Sequence, residues 1–306
     1  MSEGVMTMRK NRLFIAVTAV LLVSILPLSA QMKKRIAVFT FEDKTDKSYY
    51  WWDGRSPGDG MSDMLTTALV KSGKYTVIER QQIAQLLNEQ QLGQTGIVTE
   101  QSAAKIGKML GVELAVVGAV TEFGHSKKDM GINVKGFGFG TKSQKATVAV
   151  DVRLINTSTG EIITAESVRK DESSSGISLD TPDGRFDNSN KFDNSIVGKA
   201  TRAAIDEIVV LIDNQSSDLP WEGKVIKVDG ITVYIKPGED GGVKVGDSFV
   251  VYSAGEELID PDTGLSLGSE EKKVGTIQIV QVLAQAAKAT VKMGGGISVG
   301  DKVRIK

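Results

Sequence analysis

Segments with strand and helix periodicity alternate between residues 34 and 123, and this order restricts the fold more than any other feature of the chain. Continuous apolar runs predict buried strands at 34–43, 75–80 and 113–123. Apolar residues that recur every three or four positions predict helices at 61–73, 81–93 and 99–111. The resulting order, βαβααβ, is typical of an α/β domain built in layers.

The chain then changes character at a glycine-rich stretch, GFGFGTK, which starts at Gly136. A phosphate-binding loop requires the pattern G-x-x-x-x-G-K-[ST] followed by a helix, whereas here Thr141 separates Gly140 from Lys142 and a strand follows. We therefore interpret the stretch as the turn of a β-hairpin and not as a nucleotide site. The strand ATVAVDVRLIN alternates, and its apolar face consists of Ala146, Val148, Val150, Val152 and Leu154.

The sequence pattern changes again near residue 213. A predicted amphipathic helix at 196–212 ends in the polar stretch DNQSSDLP, which predicts a linker at 214–220 after a first domain at 31–213. Beyond the linker, strand-length runs separated by glycine turns predict a small all-β, barrel-like domain at 221–306. Two of these runs, VKVGDSFVVY and ISVGDKVRI, repeat a Gly-Asp turn followed by an alternating strand.

The first thirty residues have the layout of a secretory signal peptide. Arg9, Lys10 and Arg12 precede the apolar run 13–28, and small residues up to Ala30 offer a cleavage site. The apolar run has 16 residues, fewer than the roughly 20 that a membrane-spanning helix needs. We predict a signal peptide at 1–30 and export to the periplasm or the outer membrane. Because the chain contains no cysteine, we expect that the mature protein is not a lipoprotein.

The residue inventory argues against catalysis and against binding of metal ions or nucleic acid. The formal net charge is −1, and no basic stripe with interleaved aromatic residues indicates a nucleic-acid partner. The one histidine, His125, stands in a predicted basic loop, whereas a metal site needs several ligands. DPDTG at 260–264 lacks the further ligands of a calcium loop and is interpreted as a tight turn. We predict no enzymatic activity, no cofactor and no metal.

Four consecutive aromatic residues stand in the loop after the first predicted strand: Tyr49, Tyr50, Trp51 and Trp52. Bulky aromatic side chains in an exposed loop are costly unless they pack or meet a partner. The residues alone leave two interpretations open. In the first, the rings cover the core of their own domain; in the second, they face a binding partner.

Five motifs occur in order between residues 34 and 212: IAVFTFEDKT, LTTALVKSGKYTVIERQQIAQLLNEQQ, LGVELAVVGAVTEF, FGFG and VAVDVRLINTSTGEI. In sequence and spacing, this set resembles the CsgG/HfaB family, the family of the curli secretion channel. The all-β tail, with DPDTG and a closing GDKVRI, is similar to the C-terminal domain of the flagellar assembly protein FlgT.

The resemblance implies a ring of identical subunits at the outer membrane. Each subunit would have a three-layer periplasmic α/β domain of the CsgG type, with long β-hairpin insertions that build a shared barrel. Unfolded polypeptide would pass through without nucleotide hydrolysis. Carried over by position, the channel constriction falls on Tyr49, Tyr50, Trp51 and Trp52. The membrane hairpins fall at 122–144 and 170–195, with the apolar candidates Met130, Ile132, Val134, Phe137, Phe139, Ile177 and Leu179.

We therefore expect a non-enzymatic, homo-oligomeric component of an outer-membrane secretion or assembly system that exports unfolded polypeptide passively. Its partners would be other copies of the chain, a secreted polypeptide or an envelope-assembly partner, and the outer membrane, with no nucleic acid. The alternative is a periplasmic scaffold or structural protein of an envelope or flagellar complex, without a pore. The hairpins keep this alternative open, because Ser126 and Lys128 continue the face of Met130, and a lysine facing lipid near the midplane costs roughly 2–4 kcal/mol.

Overall fold

The computed structural model describes residues 32–45, 54–89, 98–134, 137–175, 189–259, 261 and 266–305. The helices in these ranges are α1 (Pro57–Ser72), α2 (Arg80–Glu89), α3 (Glu100–Leu110), α4 (Ser189–Asn194) and α5 (Ile196–Ser217). The strands are β1 (Lys34–Val38), β2 (Glu42–Asp43), β3 (Tyr75–Val77), β4 (Leu114–Val134), β5 (Phe137–Asn156), β6 (Ile162–Ser175), β7 (Glu222–Asp229), β8 (Thr232–Lys236), β9 (Ser248–Ile259), β10 (Ser266–Val282), β11 (Ala287–Gly294) and β12 (Lys302–Ile305). The predicted signal peptide lies outside the described residues.

The first sheet has the strand order β3-β1-β4-β5-β6, and β2 pairs with β4 beyond the end of β1. Strand β1 runs parallel to β3 and β4, whereas β5 is antiparallel to both β4 and β6. Helices connect the parallel strands, because a parallel pair cannot be joined by a tight turn. The predicted mixed α/β class is confirmed.

Both faces of this sheet carry an apolar core. Helices α1 and α5 contribute Met61, Leu65 and Ile208 to the core on one face. Helices α2 and α3 contribute Ile83 and Ile106 to the core on the other face. The apolar face predicted for 146–154 is confirmed, since all five of its residues are buried in the first core. Alternate residues of each inner strand therefore point into different cores, as the period of a strand requires.

Capping residues decide where two of the helices begin. The hydroxyl of Ser56 accepts a hydrogen bond from the N–H of Asp59 at 3.1 Å, and Pro57 takes the first helical position. Helix α1 therefore starts before residue 61, where the apolar pattern placed it. Thr99 caps α3, because its hydroxyl accepts from the N–H of Ser102 at 3.3 Å.

Helix α5 continues past residue 212, where its amphipathic pattern was expected to end. Tertiary contacts hold the additional turn: the Tyr75 hydroxyl donates to Asp213 Oδ1 at 2.8 Å and lies 2.7 Å from Ser216 Oγ. Residues 214–217, predicted as linker, are helical as a result. Strand β3 is shorter than predicted, since residues after Val77 turn into α2. The domain boundaries themselves stay a prediction.

The C-terminal strands close a barrel in the order β10-β11-β8-β7-β12-β9. Its interior is apolar. Trp221 stacks on Phe249 with ring centroids 5.2 Å apart, and Val251, Ile277 and Val303 are fully buried beside them. The barrel-like arrangement of strands predicted from the glycine turns is confirmed.

The repeated Gly-Asp turn has the same geometry at both of its positions. Asp247 Oδ2 accepts the N–H of Lys244 at 2.8 Å, and Asp301 Oδ2 accepts the N–H of Ser298 at 2.8 Å. The glycines before the two aspartates have φ values of 96° and 98°, in the region that favours glycine. Since the turns lead into β9 and β12, which pair with each other, the repeat forms one seam of the barrel.

Candidate functional site

The β4–β5 hairpin extends beyond the part of the sheet that the helices cover. The two strands pair continuously from the Leu114–Asn156 pair to the Val134–Phe137 pair. Among the residues whose burial the structure describes, the outermost buried ones are Phe123 on β4 and Ala146 on β5. Strand β6 accompanies β5 only as far as the pair formed by Ser143 and Ser175. Beyond that level, the two strands of the hairpin pair with each other alone among the described strands.

The hairpin register brings five of the predicted membrane residues to one place. Ile132 pairs with Phe139, Val134 pairs with Phe137, and Met130 lies two positions from Ile132 on β4. Directly opposed residues and alternate residues occupy one face of a two-stranded ribbon, so these positions share a face. From Phe137 onwards the glycine stretch lies on β5, which pairs antiparallel with β4, so the predicted hairpin is confirmed.

The remaining predicted site residues lie outside the described residues. These are Ile177 and Leu179 of the second hairpin and the four constriction candidates Tyr49, Tyr50, Trp51 and Trp52. Whether the four aromatic residues line a constriction stays a prediction.

The residues that flank the aromatic segment are held close to the base of the hairpin. The N–H of Lys44 donates to the carbonyl of Val120 on β4 at 2.9 Å. The N–H of Phe41 donates to the hydroxyl of Ser62 on α1 at 2.8 Å. On the other side of the segment, Arg55 pairs with Asp63 on α1 at 2.5 Å. Both flanks are therefore fixed to elements that border the point where the hairpin leaves the covered sheet.

A pair of aromatic rings covers the inner face of the sheet at the hairpin base. Phe123 on β4 stacks on Phe192 of α4 with ring centroids 6.4 Å apart, and both rings are buried. A bulge between Val120 and Glu122 makes this possible, because it brings Phe123 to the same face as Val120. The second hairpin was predicted to reach residue 195. This is wrong for residues 189–194, which form α4 because Phe192 joins the core.

Charged residues occupy the opposite face of β4, β5 and β6 at the hairpin base. Arg169 on β6 pairs with Glu122 on β4. Asp171, also on β6, accepts from the Thr147 hydroxyl at 2.6 Å and lies 3.1 Å from Lys145 on β5. The hydrogen bond from Thr147 and the ion pair with Lys145 lower the pKa of Asp171 below its ordinary value. Because these groups are exposed, each pair adds little stability, but together they fix the register of β4, β5 and β6 at the hairpin base.

The barrel is attached at the other end of the sheet, where β1 and β4 begin. Lys34 Nζ donates to the carbonyl of Leu219 at 2.7 Å. Thr76 Oγ1 donates to the carbonyl of Asp240 at 2.6 Å, and Arg35 lies 3.6 Å from the Asp240 carboxylate. Since β4 runs from this junction to Val134, which pairs with Phe137, the barrel and the outer part of the β4–β5 hairpin lie at opposite ends of β4.

A buried carboxylate stands at this junction. Glu113 Oε2 accepts the N–H of Arg35 at 2.9 Å, and the backbone of Glu222 at the start of β7 also donates to this carboxyl group. Burial raises the pKa of Glu113 to about 7, and the hydrogen bond from Arg35 and the charge of Lys34 offset only part of this effect. Burial also lowers the pKa of Lys34. The sequence did not point to Glu113, because the residue appeared only as the polar start of a predicted strand.

The described ranges contain no group of three or more His, Cys, Asp or Glu side chains that could hold a metal ion. Over the same ranges, no helix is both long and apolar enough to cross a membrane. His125 pairs with Ala146 on β5, so it stands on a strand and the predicted loop at this position is wrong.

Comparison with known protein families shows to which family the chain belongs. The family model described as "Curli production assembly/transport component CsgG" matches residues 20–228. The chain belongs to the CsgG family. The matched region includes the first sheet, the projecting hairpin and the junction, and it ends within β7. Most of the C-terminal barrel lies beyond this match.

Individual relatives are distant. The curli production assembly/transport component CsgG of Salmonella typhimurium is 30% identical over 113 residues, which are 35% of this chain and 41% of that protein. The chain thus matches about two fifths of the length of this CsgG relative.

Two solved structures match part of the chain at low similarity. A hypothetical protein of Chlamydia trachomatis has a TM-score of 0.39 at 17% identity, covering 60% of this chain and 97% of its own. A lipoprotein of Neisseria meningitidis has a TM-score of 0.34 at 16% identity, covering 61% and 99%.

Proposed function

We propose that this CsgG-family chain is a homo-oligomeric component of an outer-membrane secretion or assembly system that passes unfolded polypeptide without bond-making chemistry. The observation that carries the proposal is the β4–β5 hairpin, whose strands continue together past the helix-covered sheet to the pair Val134–Phe137. A transmembrane strand needs about 9–11 residues, and each strand supplies this length beyond Phe123 and Ala146.

The hairpin edges support an oligomer. A two-stranded ribbon is marginally stable alone in water, and its outer edges carry unpaired backbone groups. Strands from neighbouring copies would pair with those edges and close a shared barrel. The apolar positions Met130, Ile132, Val134, Phe137 and Phe139 would then form the lipid-facing band, with Ile177 and Leu179 contributing from the second hairpin.

The constriction belongs to the same proposal. The flanks of residues 46–53 are fixed to β4 and α1 beside the hairpin base. In a ring, a loop that starts and ends there would face the central axis below the membrane barrel. Tyr49, Tyr50, Trp51 and Trp52 would line the narrowest point and contact the extended chain.

Conductance across planar bilayers tests this function. Detergent-extracted protein is expected to conduct ions, and the double variant Trp51→Ala, Trp52→Ala is expected to conduct more because two large rings are removed from the constriction. Tyr234→Ala, on the barrel at the other end of β4, serves as the matched aromatic control and should leave the conductance unchanged. Absence of conductance from well-folded, oligomeric protein would refute the channel, and unchanged conductance in the double variant would remove the constriction assignment.

The scaffold without a pore is the second candidate, because Ser126, Lys127 and Lys128 place polar residues at mid-hairpin positions. It predicts release as a soluble periplasmic species.

Under either candidate we propose that the signal peptide at 1–30 is removed, that the mature chain carries no lipid anchor, and that the α/β domain has the three-layer arrangement of the CsgG type. We also propose that the barrel is a domain similar to the C-terminal domain of FlgT.

A further inference from the structure

The outer side of the C-terminal barrel carries a cluster of lysines on the neighbouring strands β7, β8 and β11. We call this cluster the lysine wall, and it consists of Lys224 and Lys227 on β7, Lys236 on β8 and Lys288 on β11. The first three of these side chains are exposed and that of Lys288 is partly exposed.

The strand register shows that the lysine wall points away from the barrel interior. Ile235 on β8 is fully buried in the barrel core, and its neighbours along the strand are Tyr234 and Lys236. Successive residues of a strand point to opposite sides, so Tyr234 and Lys236 lie on the outer side. Tyr234 pairs with Lys227 on β7 and with Lys288 on β11. Since directly opposed residues share a face, the half-buried Tyr234 ring lies between two lysines of the wall.

The wall brings like charges together. Lys224 and Lys236 stand directly opposite each other on β7 and β8, and like charges at such positions destabilise a sheet. The acidic residues of the three strands are Glu222 at the start of β7 and Asp229 at its end. In the part of the chain that the structure describes, neither of them forms an ion pair with a lysine of the wall. The wall therefore keeps an excess of positive charge that an anionic partner would neutralise.

Strand β12, on the other side of β7, compensates its cations within the barrel. Lys302 lies 2.8 Å from Glu271 and 3.5 Å from Glu222, and Arg304 lies 2.7 Å from Glu222. Within the wall, by contrast, Lys227 lies over the Tyr234 ring at 5.5 Å from its centroid. The barrel thus neutralises the charges of one strand and leaves those of the next strands available to a partner.

The geometry of the wall favours an extended partner over a small molecule. Small-molecule sites are concave, whereas the outer side of a barrel is convex, and the wall spans three strands, or roughly 10 Å across. Its neighbour on β10 is uncharged, because Gln281 pairs with Lys288. All four cations are lysines, whose flexible stems and rotatable donors do not require the fixed bidentate geometry that arginine offers. Such a surface suits carboxylates spaced along a chain that has no fixed conformation.

The position of the wall distinguishes a polypeptide from a lipid surface. The barrel is attached where β4 begins, and the outer part of the β4–β5 hairpin lies at the other end of that strand. In the proposed function the hairpin lies in the membrane, so the wall is held away from the bilayer, on the side from which an exported polypeptide arrives.

We propose that the lysine wall binds acidic stretches of the unfolded polypeptide before they enter the conduit. This inference rests on the proposed function, because its ligand is the polypeptide that the conduit passes. The carboxylates of the polypeptide neutralise the wall and relieve the repulsion between Lys224 and Lys236, while the Tyr234 ring supplies an apolar contact between the charges. Binding depends on the density of negative charge and not on a particular sequence, since lysine acts as a point charge.

Fluorescence anisotropy with the full mature chain tests this binding. The probe is a fluorescein-labelled peptide of about 16 residues that alternates glutamate and serine and extends over roughly 50 Å. The control peptide has glutamine in place of glutamate. In about 0.1 M salt we expect the glutamate peptide to bind at least roughly tenfold more tightly than the glutamine peptide. The preference should vanish in about 1 M salt, where the screening length falls to about 3 Å.

Two variants of equal net charge locate the binding surface. The wall variant carries Lys224→Gln, Lys227→Gln, Lys236→Gln and Lys288→Gln. The control variant carries Lys71→Gln, Lys105→Gln, Lys199→Gln and Lys244→Gln, at exposed lysines outside the wall. The wall variant should bind the glutamate peptide at least roughly tenfold more weakly than the control variant, and arginine at the four wall positions should retain binding. The melting temperature of the wall variant should stay within about 2 °C of the wild type or rise, which excludes unfolding as the cause of lost binding.

Equal binding of the glutamate peptide by the wall variant and the control variant would overturn the proposal. So would a wild-type chain that floats with phosphatidylglycerol vesicles through the wall lysines but does not bind the glutamate peptide, since the occupant would then be a lipid surface. Peptide binding without conductance would contradict only the proposed channel, and conductance without peptide binding would contradict only the role of the lysine wall.

Discussion

At the scale of single residues, Gly198 allows two helices to approach each other closely, and the buried Glu113 makes the stability depend on pH. Gly198 lies near the start of α5, and a Cβ added there would stand 2.0 Å from the carbonyl oxygen of Phe192. That close approach lets α4 turn directly into α5 while Phe192 stays stacked on Phe123. The glycine therefore serves the covering of the hairpin base, although a glycine within a helix is unfavourable by itself.

Gly198→Ala is expected to destabilise the protein by about 1–3 kcal/mol, the usual cost of overpacking. Helix propensity alone predicts the opposite sign, a gain of about 1 kcal/mol, so the sign of the effect identifies the steric contact. Thermal unfolding measures it. Gly295→Ala is the matched control, because nothing lies within 4 Å of an added Cβ there, and its effect should stay within about 0.5 kcal/mol. A variant at least as stable as the wild type would contradict the contact.

Glu113 makes the stability of the junction depend on pH. Its pKa is raised from the ordinary 4.5 to about 7, so the unfolded chain ionises this group between these values while the folded chain does not. The stability that the protonated Glu113 carboxyl group contributes is present in full below pH 4.5 and is lost as the pH rises through 7. A shift of this size corresponds to on the order of 3 kcal/mol.

Urea unfolding of wild type and Glu113→Gln at pH 4.5 and pH 8 checks this effect. The unfolding free energy of the wild type minus that of the variant should fall by on the order of 3 kcal/mol between the two pH values. The exposed Glu161→Gln serves as the control, with a difference that stays within about 0.5 kcal/mol. A difference that does not change with pH would show that Glu113 is not held in this environment.

At the scale of elements, the local pattern predicted the strands and helices of the first sheet, and tertiary contacts decided where several of them end. The alternation in 146–154 indicated both the strand and its buried face, because one side of β5 faces the α1 and α5 core. The end of α5 could not be predicted, since its last turn depends on hydrogen bonds from Tyr75 to Asp213 and Ser216. These two residues are 138 and 141 positions away from Tyr75 in the sequence.

Helix α4 illustrates the same limit at the candidate site. Phe192 stands in a polar segment, and its neighbours give no amphipathic pattern. Only the stacking on Phe123 and the close approach of Gly198 show that it belongs to the core. The projecting part of β4 and β5 was predicted from glycine content and family resemblance, whereas its register required the structure.

Shortening the β4–β5 hairpin tests whether its outer part is needed for folding. Replacing residues 127–144 by Asn-Gly joins Ser126 to Lys145, which already pair, through a turn that suits a hairpin. Since the variant keeps Phe123 and Ala146, the outermost buried residues that the structure describes on the two strands, the melting temperature should change by only about 2 °C or less. We expect the variant to lose flotation with lipid vesicles. Retained flotation would show that other residues contact the membrane.

At the scale of the whole molecule, two features lie at opposite ends of β4. The outer part of the β4–β5 hairpin, at one end, fits the membrane barrel that we propose to be shared among copies. The C-terminal barrel lies at the other end, where the junction around Glu113 joins it to the first sheet.

The direct test of the central proposal is electron microscopy of the detergent-solubilised mature protein. We expect rings with a central opening, each containing several copies of the chain. Particles of the size of one chain across detergents and across pH 5–8 would contradict self-association into a conduit or a scaffold.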